Sequence, residues 1–129
     1  FMVDGVASVG CMPFEMDSWG VDVAMSASQK GLMTSPGLAF VAANEKAIAA
    51  HKTATMKTLY WDWSSRMNTL AYMKHCGTAP EHLLFGLRAA LDMILEEGLE
   101  AVWTRHALLA GATHAAVAKW SEGQALSFN

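Results

Sequence analysis

The first third of the chain alternates short apolar runs with turns, and this pattern constrains the fold more than any other feature. The runs cover residues 1–7, 21–25 and 38–43, and each is bounded by Gly, Pro, Ser or Asn. Short runs that stay apolar without alternation are typical of strands covered on both faces. The first part of the chain is therefore predicted to form short, buried strands.

The second half of the chain carries helical periodicity. Pro80 and Glu81 suit a first helical turn, because proline is tolerated there and an acid favours the positive end of the helix dipole. Apolar residues at helical spacing follow, and Gly98 separates two stripes. The first stripe is Leu83, Leu84, Leu87, Leu91, Ile94 and Leu95, and the second is Leu99, Val102, Trp103, His106, Leu109, Thr113, Val117 and Trp120. The predicted fold class is mixed α/β, with short strands first and two long helices last.

Three further segments complete this organisation. Asn44 fits the N-cap of another helix, which is expected to run to about Met56. Residues 58–78 contain aromatic side chains and turn formers without a sustained period, so no element is predicted there. Residues 125–129 alternate as a strand would, and both chain ends resemble strands cut short. We therefore expect residues 1–129 to be the central to C-terminal part of a larger domain, within a longer chain.

The composition excludes several classes of protein. The chain has 129 residues, which is room for one domain. Hydrophobic residues make up 53% and charged residues 16%, a balance that excludes intrinsic disorder. A net charge of −3 with scattered Lys and Arg does not provide the basic surface that nucleic acids need. No apolar stretch approaches the roughly 20 residues of a membrane-spanning helix. The two cysteines favour a reducing, cytoplasmic setting over a disulfide scaffold.

Two charged residues lie where the apolar pattern does not predict them. Asp4 stands in the first apolar run, where burial of a carboxylate is costly unless a partner offsets the lost hydration. Lys30 stands in a Ser- and Gly-rich turn after the second run. Each has an ordinary explanation, because Asp4 could cap a turn at the strand end and Lys30 could be a solvated loop residue.

Together, Asp4 and Lys30 also suggest one chemistry. A lysine among small residues can be desolvated, lose its proton and form an imine with a carbonyl compound. A carboxylate at the end of a neighbouring strand can keep the pyridine nitrogen of pyridoxal phosphate protonated, so that the ring accepts electrons from a substrate carbanion. Spacing alone leaves this chemistry and the two ordinary explanations open.

Several motifs occur in one order along nearly the whole chain. They are FMVDGVAS at 1–8, GVDV at 20–23, SASQKGL at 26–32, PG at 36–37, YWDW at 60–63, HCGTAP at 75–80, LFGLRAAL at 84–91, EEGLE at 96–100 and Trp103. This set closely resembles the class V aminotransferases of fold type I, and within them the branch of serine–glyoxylate and alanine–glyoxylate aminotransferases. The resemblance implies that the chain is part of the large domain that binds pyridoxal 5'-phosphate in that fold.

The resemblance implies roles for five residues. Asp4 would pair with the pyridine nitrogen, and Val6 would pack against one face of the ring. Lys30 would hold the cofactor aldehyde as a Schiff base and move protons, and Gln29 would hydrogen-bond the cofactor phosphate. Thr78 would reach the phosphate of the cofactor bound to the other subunit of a homodimer. Lys30 and Asp4 are therefore the expected catalytic residues.

A function for the complete protein also follows from the resemblance. The expected reaction moves an amino group from a small amino acid, serine in the first instance, to glyoxylate. Within the class, an aspartate- or alanine-preferring enzyme acting with glyoxylate or pyruvate is the alternative, and outside it a non-catalytic fragment of the fold. The family's phosphate-binding loop, ring-stacking residue and carboxylate-binding arginine fall outside these residues. The chain alone is therefore expected to be inactive.

Other functional constellations are not favoured. The cysteines and histidines do not keep zinc-ligand spacing, no Gly-x-Ser-x-Gly elbow surrounds a serine, and the glycines form no dinucleotide fingerprint. His106 is interpreted as a core histidine, because it falls on the apolar stripe. Trp61 and Trp63 are interpreted as packing residues at a subunit interface. His75 stands near the position of an aromatic phosphate contact in some relatives, and its role stays open.

Overall fold

The fold is a small mixed sheet followed by helices. The computed structural model describes residues 1–123 and Ser127. Its three-stranded sheet has the order β1-β2-β3, with β1 at Met2–Asp4, β2 at Val23–Ala27 and β3 at Ala39–Ala43. β1 runs parallel to β2, whereas β3 is antiparallel to β2. With the helices that follow, this architecture confirms the predicted mixed α/β class.

The strand bounds differ from the apolar runs. Val21 is buried but precedes β2, because its N–H donates to the carbonyl oxygen of Met16 in the preceding turn. Pairing instead continues through Ser26 and Ala27, which lie opposite residues of β3. β1 likewise covers only three residues of the first run. Backbone pairing, and not hydrophobicity alone, therefore sets where each strand begins and ends.

Among the strands of the sheet, only the central strand has side chains buried by the rest of the described chain. Val23 and Ala24 of the central strand β2 are buried. On the outer strands, Met2 is 61% exposed and Val41 is 53% exposed. The prediction of strands covered on both faces is therefore wrong for β1 and β3 within the described residues. An apolar run shows that a strand favours burial, but it does not show which element covers it.

The first helix, α1 at Glu45–Thr53, begins as the sequence predicts. Asn44 Oδ1 accepts a hydrogen bond from the N–H of Ala47 at 2.9 Å, which satisfies one of the free donors at the helix start. Asn44 Nδ2 donates to Asp22 Oδ1 at 2.9 Å, just before β2. The cap therefore ties α1 to the sheet. The helix ends at Thr53, earlier than the expected end near Met56.

Two short helices lie in the segment where no element is predicted, α2 at Trp63–Arg66 and α3 at Ala71–Lys74. Arg66 organises this segment through its guanidinium. It donates to the carbonyl oxygen of Tyr60 at 2.6 Å and to that of Met73 at 2.8 Å. Hydrogen bonds from a side chain to the backbone do not require apolar residues at helical spacing. The hydrophobic pattern of the sequence therefore does not predict α2 and α3.

The two tryptophans of this segment have different environments. Trp61 is 75% exposed. Trp63 is half-buried and stacks on the imidazole of His51, with ring centroids 5.2 Å apart. His51 Nε2 also lies 2.9 Å from Asp62 Oδ1, which ties α1 to α2. Trp63 therefore packs within the chain, and only Trp61 keeps the exposure that an interface residue needs.

Two long helices complete the described chain, α4 at Glu81–Glu97 and α5 at Leu99–Glu122. Gly98 separates them as predicted, and its φ of 87° lies in the left-handed region that favours glycine. Ile94 of α4 and Val102 of α5 are buried. The helix break is therefore confirmed, and each predicted stripe has one buried member, close to the break.

The outer residues of the two stripes are not covered. Leu95 is 68% exposed, and Leu109 and Trp120 are also exposed. His106 is half-buried beside the loop that follows β1, so it is only partly a core residue. The stripes are therefore wider than the surface that residues 1–123 cover.

No helix within residues 1–123 combines the length and apolar character needed to cross a membrane. In the same range, no three His, Cys, Asp or Glu side chains group as metal ligands. The strand predicted at 125–129 lies outside the described residues, apart from Ser127.

Candidate active site

Asp4 is the last residue of β1, where it lies opposite Met25 of β2. It is exposed, so the expectation of a carboxylate inside a buried strand is wrong. Asp4 Oδ1 accepts a hydrogen bond from the N–H of Val6 at 2.9 Å and caps the turn that follows. Among the described residues, Oδ2 has no hydrogen-bond partner. One oxygen therefore holds the turn while the other stays available to a ligand.

Lys30 lies just beyond the carboxyl end of β2, in an exposed turn, so the suggested desolvation of its side chain by small neighbours is not found among the described residues. Its backbone carbonyl oxygen accepts a hydrogen bond from the N–H of Met33 at 2.9 Å. Its ammonium group makes neither a hydrogen bond nor an ion pair within residues 1–123. Because β1 and β2 are parallel, Asp4 and Lys30 follow strand ends at the same edge of the sheet, the edge where α/β folds bind ligands.

Two glycines hold the loops after β1 and β2 together. A Cβ added to Gly31 would lie 2.4 Å from the carbonyl oxygen of Val9, and one added to Gly10 would lie 3.0 Å from the backbone of Gly31. Only a residue without a side chain allows backbones to approach this closely. The contact fixes the loop of Lys30 against the segment that follows Asp4. The sequence shows both glycines but does not indicate that they meet.

We expect Gly31→Ala to destabilise the protein by about 1–3 kcal/mol, because the added methyl group would collide with a backbone carbonyl. Denaturant unfolding of the full-length protein measures the change. Gly86→Ala is the matched control, since a Cβ at Gly86 in α4 meets no atom of residues 1–123 within 4 Å. Alanine there is expected to be neutral or mildly stabilising. A Gly31→Ala protein as stable as the parent would show that the two loops do not need their close contact.

Val6 and Gln29 are placed at the same edge as the two charged residues. Val6 is half-buried in the turn that Asp4 caps. Gln29 is exposed immediately before Lys30, and its amide has no hydrogen-bond partner among the described residues. Four of the five residues that the resemblance singles out therefore lie at the ends of two adjacent parallel strands, on one edge of the sheet.

Thr78 lies apart from this group, in the connection between α3 and α4. It is exposed and follows Gly77, whose φ is 137°. Within residues 1–123 no hydrogen bond joins Thr78 to the sheet edge, and the nearby His75 is exposed as well. The connection leads into α4, where Leu83 packs so closely on Gly37 that an added Cβ would lie 2.6 Å from it.

The side chains at the sheet edge fit pyridoxal phosphate. This cofactor needs a carboxylate for its ring nitrogen, a primary amine for its aldehyde and donors for its phosphate. Asp4 Oδ2, the Lys30 ammonium and the Gln29 amide supply these groups, and all three side chains are exposed. None of the three groups has an internal partner among the described residues, so none must break a contact to meet a ligand.

The α/β fold, with a carboxylate and a lysine after adjacent parallel strands, is that of the fold-type I aminotransferases. The chain belongs to the class-V aminotransferase family, whose model matches residues 1–127. The family resemblance noted in the sequence is thereby confirmed.

Relatives with known names agree with this membership. The chain is 45% identical over 120 residues to serine–glyoxylate aminotransferase from Arabidopsis thaliana. It is 44% identical over 118 residues to L-aspartate–glyoxylate aminotransferase from Paracoccus denitrificans. Each match covers 92% of this chain and 30% of the relative. The crystal structure of an alanine–glyoxylate aminotransferase from Nostoc sp. matches with a TM-score of 0.69 and 36% identity, over 81% of this chain and 29% of that one. The chain thus spans about 30% of the length of these curated relatives.

Proposed function

We propose that the protein containing this chain is a pyridoxal-phosphate-dependent aminotransferase that transfers the amino group of a small amino acid to glyoxylate. The observation that carries the proposal is the placement of Asp4 and Lys30 at one edge of the sheet, both exposed. Serine is the proposed donor, since a serine–glyoxylate aminotransferase is among the similar relatives. Glyoxylate occurs in the names of all three relatives reported above, whereas the donor differs among them.

The residues at the sheet edge divide the chemistry between them. When bound, pyridoxal phosphate supplies a ring that draws electrons from the α-carbon of the substrate. Lys30 Nζ would hold the cofactor through its aldehyde and, when free, would take the proton from the substrate α-carbon as a general base. Gln29 would donate a hydrogen bond to the cofactor phosphate. Each role uses a group that is exposed in this structure.

Asp4 is oriented for its role before any ligand binds. The hydrogen bond from the Val6 N–H to Oδ1 restrains the carboxylate, and Oδ2, which has no partner among the described residues, can accept a hydrogen bond from the ring nitrogen. A preoriented charge needs no rearrangement when charge develops in the transition state, which is why such groups are effective. The turn-capping and catalytic explanations of Asp4 are therefore compatible.

The proposed assembly is a homodimer in a cytoplasmic setting. Thr78 would then reach the cofactor phosphate of the other subunit, which agrees with its exposure and its separation from the sheet edge. The segment around it exposes many large apolar side chains, as an interface core would. They are Met56, Leu59, Tyr60, Trp61, Met67, Leu70, Tyr72 and Phe85.

The proposed cytoplasmic setting is supported by the two cysteines. Cys11 and Cys76 are both free, as is usual in a reducing compartment.

Two alternatives compete with this proposal. An aspartate- or alanine-preferring enzyme would use the same edge with another donor, and relatives with such names are similar to the chain. A non-catalytic protein of the same fold would need no reactive group at the edge. The placement of Asp4 and Lys30 after adjacent parallel strands, in a chain of the class-V aminotransferase family, favours catalysis over that alternative.

Covalent capture of the cofactor tests the proposal. The full-length protein is mixed with pyridoxal phosphate and then with borohydride, and peptide mass mapping locates the adduct. The lysine amine condenses with the aldehyde and releases water, and the hydride then fixes the bond as a secondary amine. We expect the label on Lys30 and little on Lys52, an exposed lysine of α1 that serves as the control. Equal labelling of Lys30 and Lys52 would contradict the proposal.

Glycine formation from glyoxylate distinguishes the donors. Serine, alanine and aspartate are compared at equal concentration with the full-length protein, and the ratio of kcat/KM values decides between them. We expect serine to give the largest value. A larger kcat/KM for aspartate or alanine would support the aspartate- or alanine-preferring enzyme instead. If no donor yields glycine, the non-catalytic alternative would be favoured.

A further inference from the structure

The loop that carries Lys30 is closed by one buried side chain, that of Ser28. Ser28 is 0% exposed. Its hydroxyl donates a hydrogen bond to the carbonyl oxygen of Ser35 at 2.7 Å and accepts one from the N–H of Leu38 at 3.3 Å. The hydroxyl therefore joins the start of the loop to its end, while Gln29 and Lys30 stay exposed between them.

The backbone of Ser28 adds to this closure. Its N–H donates to the carbonyl oxygen of Leu38 at 3.1 Å. Its carbonyl oxygen accepts from the N–H of Thr34 at 3.0 Å and from Thr34 Oγ1 at 3.1 Å. Five hydrogen bonds thus converge on one residue, two positions before the lysine.

Ser26 is a second buried serine close to this loop. It lies in β2, is 8% exposed, and its Oγ has no hydrogen-bond partner among the described residues. Both serines are buried, but Ser26 lies in β2 and Ser28 in the loop beyond it, and among the described residues only the Ser28 hydroxyl makes hydrogen bonds. Ser26 is therefore a matched control for Ser28.

We propose that Ser28 is a positioning residue whose hydroxyl holds the loop so that Lys30 keeps its place beyond the carboxyl end of β2, at the sheet edge where β1 ends in Asp4. The inference rests on the proposed function, because that function gives Lys30 its role. Reactions at a held group are faster than at a free one, since the orientation is already fixed. Without the hydroxyl, Ser35 loses its hydrogen bond to Ser28 and Leu38 keeps only its backbone bond to the Ser28 N–H. The loop is then held less firmly, and Lys30 samples directions that do not lead to reaction.

Amide hydrogen exchange tests the loop itself, in the full-length protein without cofactor. Ser28→Ala is expected to speed exchange at the amides of Thr34 and Leu38 by roughly tenfold, because the bonds that close the loop are weakened. Ser26→Ala is expected to leave both rates unchanged. Equal protection in Ser28→Ala and Ser26→Ala would overturn the proposal.

The rate of covalent labelling tests the effect on Lys30. With pyridoxal phosphate and borohydride, Ser28→Ala is expected to label at Lys30 roughly tenfold more slowly than the parent, and Ser26→Ala at the parental rate. A serine that only stabilised the fold would lower the melting temperature but leave the labelling rate of the folded protein unchanged. That result would overturn the positioning role.

The outcomes separate this inference from the proposed function. An unlabelled Lys30 in the parent protein would contradict the proposed function, whereas equal labelling of parent and Ser28→Ala would contradict only the role of Ser28. If Ser28→Ala does not fold, amide hydrogen exchange in the parent protein still tests whether the loop is held. Its Leu38 amide is expected to exchange at least roughly tenfold more slowly than that of Ser35, which donates no hydrogen bond among the described residues. Equal rates would overturn the inference.

Discussion

Replacing Lys30 with alanine is expected to lower the kcat of transamination by at least about a thousandfold. A positioned general base contributes roughly a hundredfold to ten-thousandfold, and the covalent anchor of the cofactor is lost as well. The fold is expected to stay intact, because the Lys30 side chain is exposed and makes no hydrogen bond within residues 1–123. The free energy of unfolding should change by no more than about 0.5 kcal/mol.

Exchange of the substrate α-hydrogen with deuterium measures the step that Lys30 is proposed to perform. In the full-length Lys30→Ala protein this exchange is expected to be as slow as the overall reaction, and a small primary amine in solution should partly restore it. Lys52→Ala, which removes an exposed lysine from α1, is the control and should exchange at the parental rate. Parental exchange in Lys30→Ala would exclude Lys30 as the proton carrier.

Elements with a local chemical cause were predictable from the sequence. The Asn44 cap depends on one side chain and the donors that follow it, and the structure shows the expected hydrogen bond. The break at Gly98 depends on a backbone angle that favours glycine. Asp4 and Lys30 were singled out because charge is unusual beside apolar runs, and the structure places both at one sheet edge. Their chemical roles stay predictions.

Features that depend on contacts between distant segments were not predictable from the sequence. The closure of the Lys30 loop by Ser28 involves the backbone of Ser35 and Leu38, and no residue pattern marks such partners. The sequence likewise does not indicate that Gly31 approaches Gly10, because a glycine in a turn has the same sequence context whether or not another backbone segment packs against it. The identity of a residue therefore indicates which interactions its side chain can form, but not which residues it contacts in the fold.

The exposure of Asp4 changes the explanation of this residue. In a buried strand, a partner would be needed to offset the lost hydration of the carboxylate. At the exposed end of β1, no such partner is required for folding, and the bond to the Val6 N–H accounts for one oxygen only. A test of Asp4 must therefore separate its charge from its turn-capping bond.

The substitution Asp4→Asn makes this separation. Asparagine keeps a carbonyl oxygen that can accept the hydrogen bond from the Val6 N–H, and it has nearly the same size. The change therefore removes the negative charge and leaves the turn in place. Stability is expected to stay within about 0.5 kcal/mol of the parent, whereas Asp4→Ala should lose about 1 kcal/mol more through the missing cap.

Turnover of the full-length Asp4→Asn protein is expected to fall by roughly a thousandfold or more. The carboxylate is proposed to keep the ring nitrogen protonated, and loss of about 4 kcal/mol of transition-state stabilisation corresponds to that factor at about 1.4 kcal/mol per tenfold. Asp17→Asn, an exposed aspartate away from the sheet edge, is the control and should keep the parental kcat.

A cofactor analogue with a permanently charged N-methylpyridinium nitrogen then distinguishes charge from shape. If Asp4 acts by keeping the ring nitrogen positive, the analogue should partly restore turnover in Asp4→Asn, because its charge no longer depends on a neighbouring carboxylate. It should give no gain in the parent protein, where the methyl group only occupies the space beside Oδ2. Near-normal turnover of Asp4→Asn with the natural cofactor would leave turn capping as the sole role of Asp4. The electrostatic half of the proposed site would then be wrong, even if Lys30 carried the label.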